Sequence, residues 1–469
     1  MRPINDTIAA IATAPGAAGI AIIRISGPEA FEIADTIFRC KSPAPSQRPA
    51  MQVVYGHLTD GQKDMDEALL LPFRAPASYT REDVVELHVH GGSISARTTL
   101  QMILQKGARL AGPGEFTRRA FLSGRIDLLQ AEAVMDLIAA KSQRAASAAL
   151  EQLEGNLSKS FNTVYDTLIA VAADLEAQLD FDEDELPARA TEDLLLRLGL
   201  ARKQLEALIA TWEEGHRLRE GTLVVLAGRP NTGKSTLLNL LLGKDRAIVT
   251  PIAGTTRDSL EEEVILNGFP LRIVDTAGLR TADCEIEQEG IRRSRALMDQ
   301  AEIVILLIDA SRPLDAEDQA LLEACPHENT LVLLNKIDLG QNVSAADIPQ
   351  KHVVSCSLLQ TYAQPFVVPP SGGPPPGIDA CKEALCGMLH LTPQTESHAV
   401  ISERHRKMAQ ATIRAVQQAG NILRQNGESS EMIAALALRE GIEQLGQITG
   451  RRYHDNLLEA IFSRFCVGK

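Results

Sequence analysis

The stretch GRPNTGKS at residues 228–235 follows the apolar run TLVVLA and precedes a leucine-rich segment. It matches the phosphate-loop pattern G-x-x-x-x-G-K-S at every constrained position. Gly228 and Gly233 allow the backbone to curl, so that its N–H groups and the next helix N-terminus point at phosphate oxygens. Lys234 can reach the terminal phosphates, and Ser235 can hold Mg²⁺. A plain glycine turn is the alternative, but the change from strand to helix favours a nucleotide-binding loop.

The motifs that follow predict which nucleotide is bound. After the run LRIVDTAG, Asp275 is placed to hold Mg²⁺ through water, and Gly278 offers an N–H to the γ-phosphate. The later run NTLVLLNKID ends in Asn335, Lys336 and Asp338. An aspartate there can accept hydrogen bonds from the ring N–H and the exocyclic amine of guanine, which adenine lacks. Alone, NKID would also fit a turn that begins a helix; after two nucleotide motifs it predicts a GTP site.

The catalytic group for GTP hydrolysis is less evident. Leu279 follows DTAG, where a Ras-type enzyme places a water-orienting glutamine, and leucine cannot polarise water. Thr256 of GTTRD supplies a second hydroxyl for Mg²⁺, and Asn231 offers an uncharged oxygen that suits a large monovalent cation. Charged residues that could act near the γ-phosphate are Glu285, Glu287, Glu289, Arg257 and Arg280.

Length and residue patterns predict about three domains in the 469 residues. Residues 1–125 mix β-branched runs such as IAIIRIS with helical stretches, which is typical of an α+β domain. Residues 126–220 and 392–469 predict long helices. Residues 221–391 hold the GTPase motifs, so an α/β GTPase domain is inserted between two halves of one helical domain. An isolated helical arm or coiled coil is the alternative for the helices.

Charge restricts how nucleic acid could be bound. The net charge is −14, and residues 126–220 alone carry 9 basic and 19 acidic groups. This acidic middle argues against binding by broad phosphate neutralisation, so any RNA contact should be local or shared with a more basic partner. The sequence shows no signal peptide, no apolar run of 18 residues and no paired metal-type cysteines, which predicts a cytoplasmic protein without membrane contact.

The motifs together resemble one family. GRPNTGKS, AIVTPIAGTTRD, DTAGLR and NKID, with the opening DTIAAIATAPGAAGIAIIRISG and the chain end FCVGK, make nearly the whole chain similar to the MnmE (TrmE) family of tRNA uridine-modification GTPases. The resemblance implies an N-terminal folate-binding and dimerisation domain, a discontinuous helical domain and an inserted Ras-like GTPase domain. The two terminal motifs are more specific than the GTPase motifs.

For the GTP site, the resemblance implies hydrolysis stimulated by K⁺. The cation would replace an arginine finger, and Glu287 would orient the attacking water through another water. Mg²⁺ would be held by Ser235 and Thr256. The implied K⁺ ligands are Asn231, Thr250, Ile252 and Thr255. The implied nucleotide contacts are Asn231, Thr232, Gly233, Lys234, Ser235, Thr236, Thr250, Thr255, Thr256, Asp275, Gly278, Asn335, Lys336, Asp338, Ser355 and Cys356.

For the one-carbon site, the resemblance implies that Arg24, Glu86 and Arg125 contact a tetrahydrofolate derivative, either the 5-formyl or the methylene form, with Lys469 close by. The carboxylate would pair with pterin donors and the cations with the glutamyl tail. Arg125 stands where most relatives have lysine. Cys466 is either a nucleophile toward C6 of uracil or a buried structural cysteine.

The implied activity is addition of a carboxymethylaminomethyl or aminomethyl group to C5 of the wobble uridine of certain tRNAs. A homodimer would act with an FAD-containing partner of the MnmG (GidA) type, in a heterotetramer or larger assembly. A ribosome-assembly GTPase switch is the second reading, and a membrane-remodelling GTPase is a third that lacks a lipid-binding patch.

One region departs from the family pattern. Ser355, Cys356 and Ser357 replace the usual guanine-loop tripeptide, and a Pro- and Gly-rich run follows. Residues 358–377 are therefore predicted to be a flexible insertion; a polyproline ligand for a partner is the alternative.

Overall fold

The chain is a multidomain protein of α/β and α type that divides into two compact units. The computed structural model describes residues 6–41, 43–178, 189–245, 261–275, 295–325, 328–359, 377–391, 401–425 and 429–469. The first unit contains residues 1–135, 150–211 and 399–469, and the second contains residues 136–149 and 212–398. The domain boundaries inferred from sequence remain a prediction; by contacts, residues 136–149 and 212–220 group with the GTPase motifs.

The first unit begins with a mixed α/β region. Its elements are β1 (Ile8–Ile11), β2 (Ile20–Ser26), α1 (Ala30–Ile37), β3 (Phe38–Cys40), β4 (Val54–Thr59), β5 (Asp64–Phe73), β6 (Val84–His90), α2 (Ser93–Gln105), β7 (Arg109–Leu110) and α3 (Glu115–Leu122). The strands form one sheet in the order β3-β4-β5-β6-β2-β1-β7. All pairs are antiparallel except β1 with β7.

Alternation along β2 places its two sets of side chains on opposite faces of this sheet. Ala21, Ile23 and Ile25 are buried in the core beneath α1 and α2. Because the side-chain period of a strand is two residues, Arg24 lies on the other face. Arg24 is paired in register with Glu86 of β6, so two chemically active side chains meet on the face away from the core.

Helices form the rest of the first unit and part of the second. They are α4 (Leu128–Ala139), α5 (Gln143–Leu153), α6 (Asn156–Gln178), α7 (Arg189–Ala210), α8 (Trp212–Glu220), and, after the strands of the second unit, α12 (Glu403–Gln425), α13 (Ser430–Thr449) and α14 (Asp455–Phe462). The long helices predicted within residues 126–220 and 392–469 are therefore present. None of the helices described is long and apolar enough to span a bilayer.

A half-buried carboxylate joins the helices that precede and follow the GTPase motifs. Glu132 of α4 accepts from Arg404 Nε at 2.9 Å and contacts His405 Nε2 at 2.7 Å. Arg404 also donates to the carbonyl of Gln447 in α13. Burial would raise the pKa of Glu132, but the charges and hydrogen bonds of Arg404 and His405 outweigh burial and hold that pKa well below its usual range. The contribution of the ionised Glu132 carboxylate to folding stability is present at neutral pH, and it is lost as the pH falls through the lowered pKa of Glu132.

The second unit is built on a six-stranded sheet. Its elements are β8 (Thr222–Gly228), α9 (Lys234–Asp245), β9 (Glu261–Leu266), β10 (Phe269–Asp275), β11 (Ile303–Asp309), α10 (Ala316–Ala324), β12 (Thr330–Asn335), β13 (His352–Ser355) and α11 (Ile378–Met388). The order is β13-β12-β11-β8-β10-β9, parallel except for β9. Strands β8, β11 and β12 are almost continuously apolar, as strands covered on both faces must be.

Candidate functional site

The GTPase motifs converge at the carboxyl edge of the six-stranded sheet. GRPNTGKS follows β8, Asp275 ends β10, Asn335 ends β12 and Ser355 ends β13. The carboxyl ends of parallel strands meet at one edge of a sheet, where open α/β folds bind ligands. The motifs lie as much as 127 residues apart in the sequence but share this edge.

The phosphate loop has the backbone that the pattern predicts. Gly233 has φ of 109°, and a Cβ there would lie 2.4 Å from Asn335 Nδ2. That amide donates to the carbonyl of Thr232 at 2.8 Å and is buried. Asn335 Oδ1 accepts from the N–H of Leu358 at 3.1 Å. Asn335 therefore fastens the phosphate loop to the guanine loop. A side-chain amide has two N–H donors, so this bond is compatible with the nucleotide contact predicted for Asn335.

Lys234 and Ser235 begin α9. Lys234 Nζ donates to the carbonyls of Gly228 and Arg229 at 2.8 and 2.7 Å, which holds the ammonium over the loop. Ser235 is exposed at the N-terminal end of the helix, next to Thr236. The tight glycine backbone, the lysine over it and an exposed serine fit a Mg²⁺-bound nucleoside triphosphate.

The NKID turn is held from two sides. Lys336 has φ of 67°, and its Nζ contacts Asp309 Oδ2 at 2.7 Å. Burial raises the pKa of Asp309, but hydrogen bonds from Lys336 and Ser311 outweigh burial and lower it. Asp338 Oδ1 accepts from Ser357 Oγ at 2.6 Å, which orients the carboxylate expected to contact guanine. Sequence reasoning missed Asp309, although it ends an apolar strand.

Cys356 lies beneath the guanine loop. Its N–H donates to the carbonyl of Leu334 at 2.8 Å, and its side chain is fully buried. Burial raises the pKa of the Cys356 thiol to about 11, so the thiol stays protonated at neutral pH. The Cys356 side chain is thus an apolar support for the guanine loop. The neighbouring Ser355 is half-buried at the end of β13.

Several predicted residues lie outside the described part of the chain. They are Thr250, Ile252, Thr255, Thr256, Gly278 and Glu287, and most of the predicted insertion at 358–377. Asn231 is described: it is exposed in the phosphate loop, with φ of 63°. Asparagine tolerates this left-handed region better than most residues do.

The N-terminal unit brings together Arg24 and Glu86, as their pairing in register requires. Arg24 Nε donates to Glu86 Oε1 at 2.8 Å, and both side chains are mostly buried. Glu86 Oε2 lies 3.5 Å from His88 Nε2. Arg24 Nη1 donates to the carbonyl of Gly468 at 3.4 Å, which links this pair to the chain end.

Two aromatic rings complete this pocket, and sequence reasoning missed both. The Arg24 guanidinium carbon lies 5.6 Å from the ring centroids of Tyr79 and Phe116. Arg125 lies 4.8 Å from the Tyr79 ring and donates to the Tyr79 carbonyl at 2.9 Å. The Tyr79 hydroxyl is 3.0 Å from that of Thr117. Tyr79 stands in an irregular segment, so no sequence periodicity marked it.

The last residues of the chain contact Ile11 and Pro113 of the N-terminal unit. Val467 forms a β-bridge with Pro113, and a Cβ on Gly468, where φ is 99°, would lie 2.4 Å from the carbonyl oxygen of Ile11. Cys466 accepts from the N–H of Lys469 through its carbonyl, while its side chain is exposed. This exposure differs from the alternative of a buried structural cysteine.

Comparison with known proteins covers the whole chain. A family model described as the MnmE helical domain matches residues 128–466, and one described as the GTP-binding protein TrmE N-terminus matches residues 7–125. A protein named tRNA modification GTPase MnmE from Alkaliphilus oremlandii is 38% identical over 475 residues, covering 99% of this chain and 100% of the relative. The protein of the same name from Syntrophotalea carbinolica is 40% identical over 468 residues, covering 99% of each.

A solved structure also matches part of the chain. A single-residue variant of Aquifex aeolicus Era, bound to GDP·AlF4⁻, is 22% identical, covering 41% of this chain and 66% of that one, with a TM-score of 0.25. The full-length relatives and the two family models decide the assignment. The chain therefore belongs to the MnmE family of tRNA modification GTPases and is a GTP-hydrolysing enzyme of tRNA modification.

Proposed function

We propose that this chain is a K⁺-stimulated GTPase that, with an FAD-containing partner, adds a carboxymethylaminomethyl or aminomethyl group to C5 of the wobble uridine of certain tRNAs. The carbon would come from a tetrahydrofolate derivative. The observation that carries this proposal is the junction of Arg24, Glu86 and the Gly468 carbonyl. A ribosome-assembly switch has no use for a charged pair tied to the last residues of the chain. A tRNA substrate accords with a cytoplasmic role.

The GTP site would work mainly through positioning and charge. Lys234 and the loop N–H groups would bind the phosphates, and Asp338, oriented by Ser357, would select guanine. Ser235, Thr256 and Asp275 suit Mg²⁺, which neutralises phosphate charge when bound. Asn231, with Thr250, Ile252 and Thr255, would hold K⁺ near the β- and γ-phosphates.

Potassium dependence follows from Asn231. We expect GTP hydrolysis to be at least about tenfold faster in K⁺ than in Na⁺ at equal ionic strength, since no arginine finger is identified to neutralise the developing charge. Because Asn231 has φ of 63°, alanine there would add backbone strain to the loss of the amide oxygen. Asn231→Gly removes the oxygen while suiting that backbone, so it should abolish the difference between the salts. Equal parental rates in both salts would overturn the potassium assignment.

In the N-terminal pocket, the contacts refine the roles expected for the two cations. Arg24 already donates to Glu86 Oε1, so Arg24 would orient the carboxylate. Glu86 Oε2, which lies 3.5 Å from His88 Nε2, would accept from the pterin N–H donors. Arg125, exposed beside the Tyr79 ring, is better placed for the glutamyl tail. The partly exposed Tyr79 ring would offer its surface to the flat pterin, and the fully buried Phe116 ring would support Arg24 from the core side. Lys469 would add positive charge from the chain end.

This pocket is tested by folate binding and by modification. We expect Glu86→Gln and Arg24→Ala each to weaken binding of 5-formyl-tetrahydrofolate by about tenfold or more, because each leaves a buried polar group unpaired. Mass analysis of wobble uridines should show a matching loss of modification. Arg39→Ala is the control, since Arg39 forms an exposed cross-strand pair with Asp64 in the same sheet. Unchanged folate binding in both pocket variants would remove the folate role.

The assembly proposed is a homodimer joined through the N-terminal domains. The face of the sheet that carries Arg24 is not covered by α1 or α2. It exposes Ile20, Tyr55 and Leu69, with 57%, 59% and 39% of each residue accessible. Tyr55 and Leu69 are paired in register, so their side chains are neighbours, whereas Ile20 is paired with His90 of β6. Such a surface supports self-association, with the FAD-containing partner added to the dimer.

A further inference from the structure

A groove between α7 and α12 combines two cations with an apolar floor. It has a volume of about 360 Å³ and lies within the first unit. Arg202, Gln417, Asn421 and Arg424 form its polar rim. Leu195, Leu198 and Val416 form the floor. Two cations in one groove are unusual for this part of the chain, because residues 126–220, which supply α7, carry 9 basic and 19 acidic groups.

Two glycines keep the groove open. At Gly420 of α12, the position of a Cβ would be 3.8 Å from Leu195 Cδ2 and 3.9 Å from Arg424 Nη1. At Gly199 of α7, a Cβ would meet nothing within 4 Å. Glycine inside a helix is destabilising relative to alanine. Neither glycine has a φ in the left-handed region, so the backbone geometry does not require glycine at these positions. What each glycine contributes is the space that a side chain would otherwise fill.

The two arginines retain donors for a ligand. Arg424 Nη1 donates to Asn421 Oδ1 at 3.1 Å, which directs the guanidinium along the rim. Arg202 Nε lies 3.3 Å from Glu206 Oε1, but both side chains are about half exposed. An exposed ion pair of this kind contributes little to stability, so an incoming anion can compete with Glu206 for Arg202. Two forked guanidinium groups suit phosphate oxygens.

We propose that this groove binds one nucleotide of the tRNA substrate. The arginines would hold its phosphodiester, the amides of Gln417 and Asn421 would contact polar base or ribose atoms, and the apolar floor would cover the base. This proposal rests on the proposed function, because it takes tRNA as the substrate. A single such contact meets the requirement that RNA binding on an acidic protein be local.

The test is tRNA binding by the full chain at several salt concentrations. Arg202→Ala and Arg424→Ala should each weaken binding by about fivefold and lower the slope of log K against log salt by about 0.7–0.9, the value for one phosphate contact. Arg439→Ala is the matched control: it removes the same charge from an exposed arginine of α13 that pairs with Glu176 and lies outside the groove. Inorganic phosphate should displace tRNA no more than another salt does at the same ionic strength.

Gly199→Leu tests the shape of the groove without changing charge. It should weaken tRNA binding while leaving Tm equal or higher, because leucine is a better helix former than glycine. If the two rim variants match Arg439→Ala, or if Gly199→Leu binds like the parent, the groove is not an RNA site and the proposed function stands. If the parent protein itself does not bind tRNA, both proposals fail.

Discussion

Replacing Glu287 by alanine is expected to lower kcat for GTP hydrolysis by about two to three orders of magnitude. Loss of a residue that positions water or moves a proton in the transition state typically costs about 10²–10⁴ in rate. Leu279 cannot take over, since its side chain has no polar atom. The loss should fall on kcat and leave the affinity for GDP and for non-hydrolysable GTP analogues within about twofold, because the role we propose for Glu287 is to orient the attacking water and not to contact the nucleotide.

The surrounding acidic stretch supplies the control for that measurement. Glu285→Ala and Glu289→Ala remove the same charge two residues to either side, so they report the general electrostatic effect of losing a carboxylate. Both should retain most of the parental kcat. A loss shared equally by all three variants would mean that net charge matters and no single residue orients water. A parallel loss of nucleotide affinity in Glu287→Ala would make its role structural.

The phosphate loop, Asp275 and NKID could be placed from sequence because each motif follows an apolar run. A strand ending in a polar motif predicts the carboxyl edge of a parallel sheet, and that edge brings the motifs together. The interactions that fasten the loops were not predictable in this way. The motif predicts Asn335 as a nucleotide contact, but it could not show that the Asn335 amide also donates to Thr232 and that its oxygen accepts from Leu358.

In the N-terminal unit, the sequence indicated β-branched runs such as IAIIRIS but not the pairing of Arg24 with Glu86. That pair joins residues 62 positions apart and depends on β2 and β6 being neighbours in register. Strand β5, DMDEALLLPF, was not predicted, because its polar first half and apolar second half show no clean alternation. The Glu132–His405 contact spans 273 positions, and no local pattern could show it.

The last residues of the chain are held in place by contacts with the N-terminal unit. Terminal residues usually fray, yet Val467 pairs with Pro113 and the Gly468 carbonyl accepts from Arg24. The backbone of the last residues is thus fixed beside the charged pair, while the Cys466 side chain remains exposed. An ordered backbone that presents a free thiol is what a nucleophile requires, and a cysteine needed for packing would be buried.

Cys466→Ser is expected to abolish wobble-uridine modification. We propose that the Cys466 thiolate adds to C6 of uracil. The resulting C5 carbanion bonds to the methylene carbon of the folate as one of that carbon's bonds to folate nitrogen breaks, and the electron pair stays on the nitrogen. A base then removes the C5 proton, which re-forms the C5–C6 double bond and expels the thiolate. Serine keeps the size of the side chain but is a far weaker nucleophile at neutral pH. Modification, measured by mass analysis of wobble uridines, should fall by at least about a hundredfold. K⁺-stimulated GTP hydrolysis should be unchanged, because the described GTP-site residues belong to the other unit.

Two further measurements separate chemistry from packing. Because the Cys466 side chain is exposed, Cys466→Ser should leave Tm within about 1 °C of the parent, as surface substitutions usually do. Cys40→Ser is the matched control, since Cys40 is another free and partly exposed cysteine of the same unit. It should retain full modification. Full modification by Cys466→Ser would exclude the thiol as the nucleophile, whereas a lowered Tm together with lost modification would assign Cys466 to the packing of the chain end.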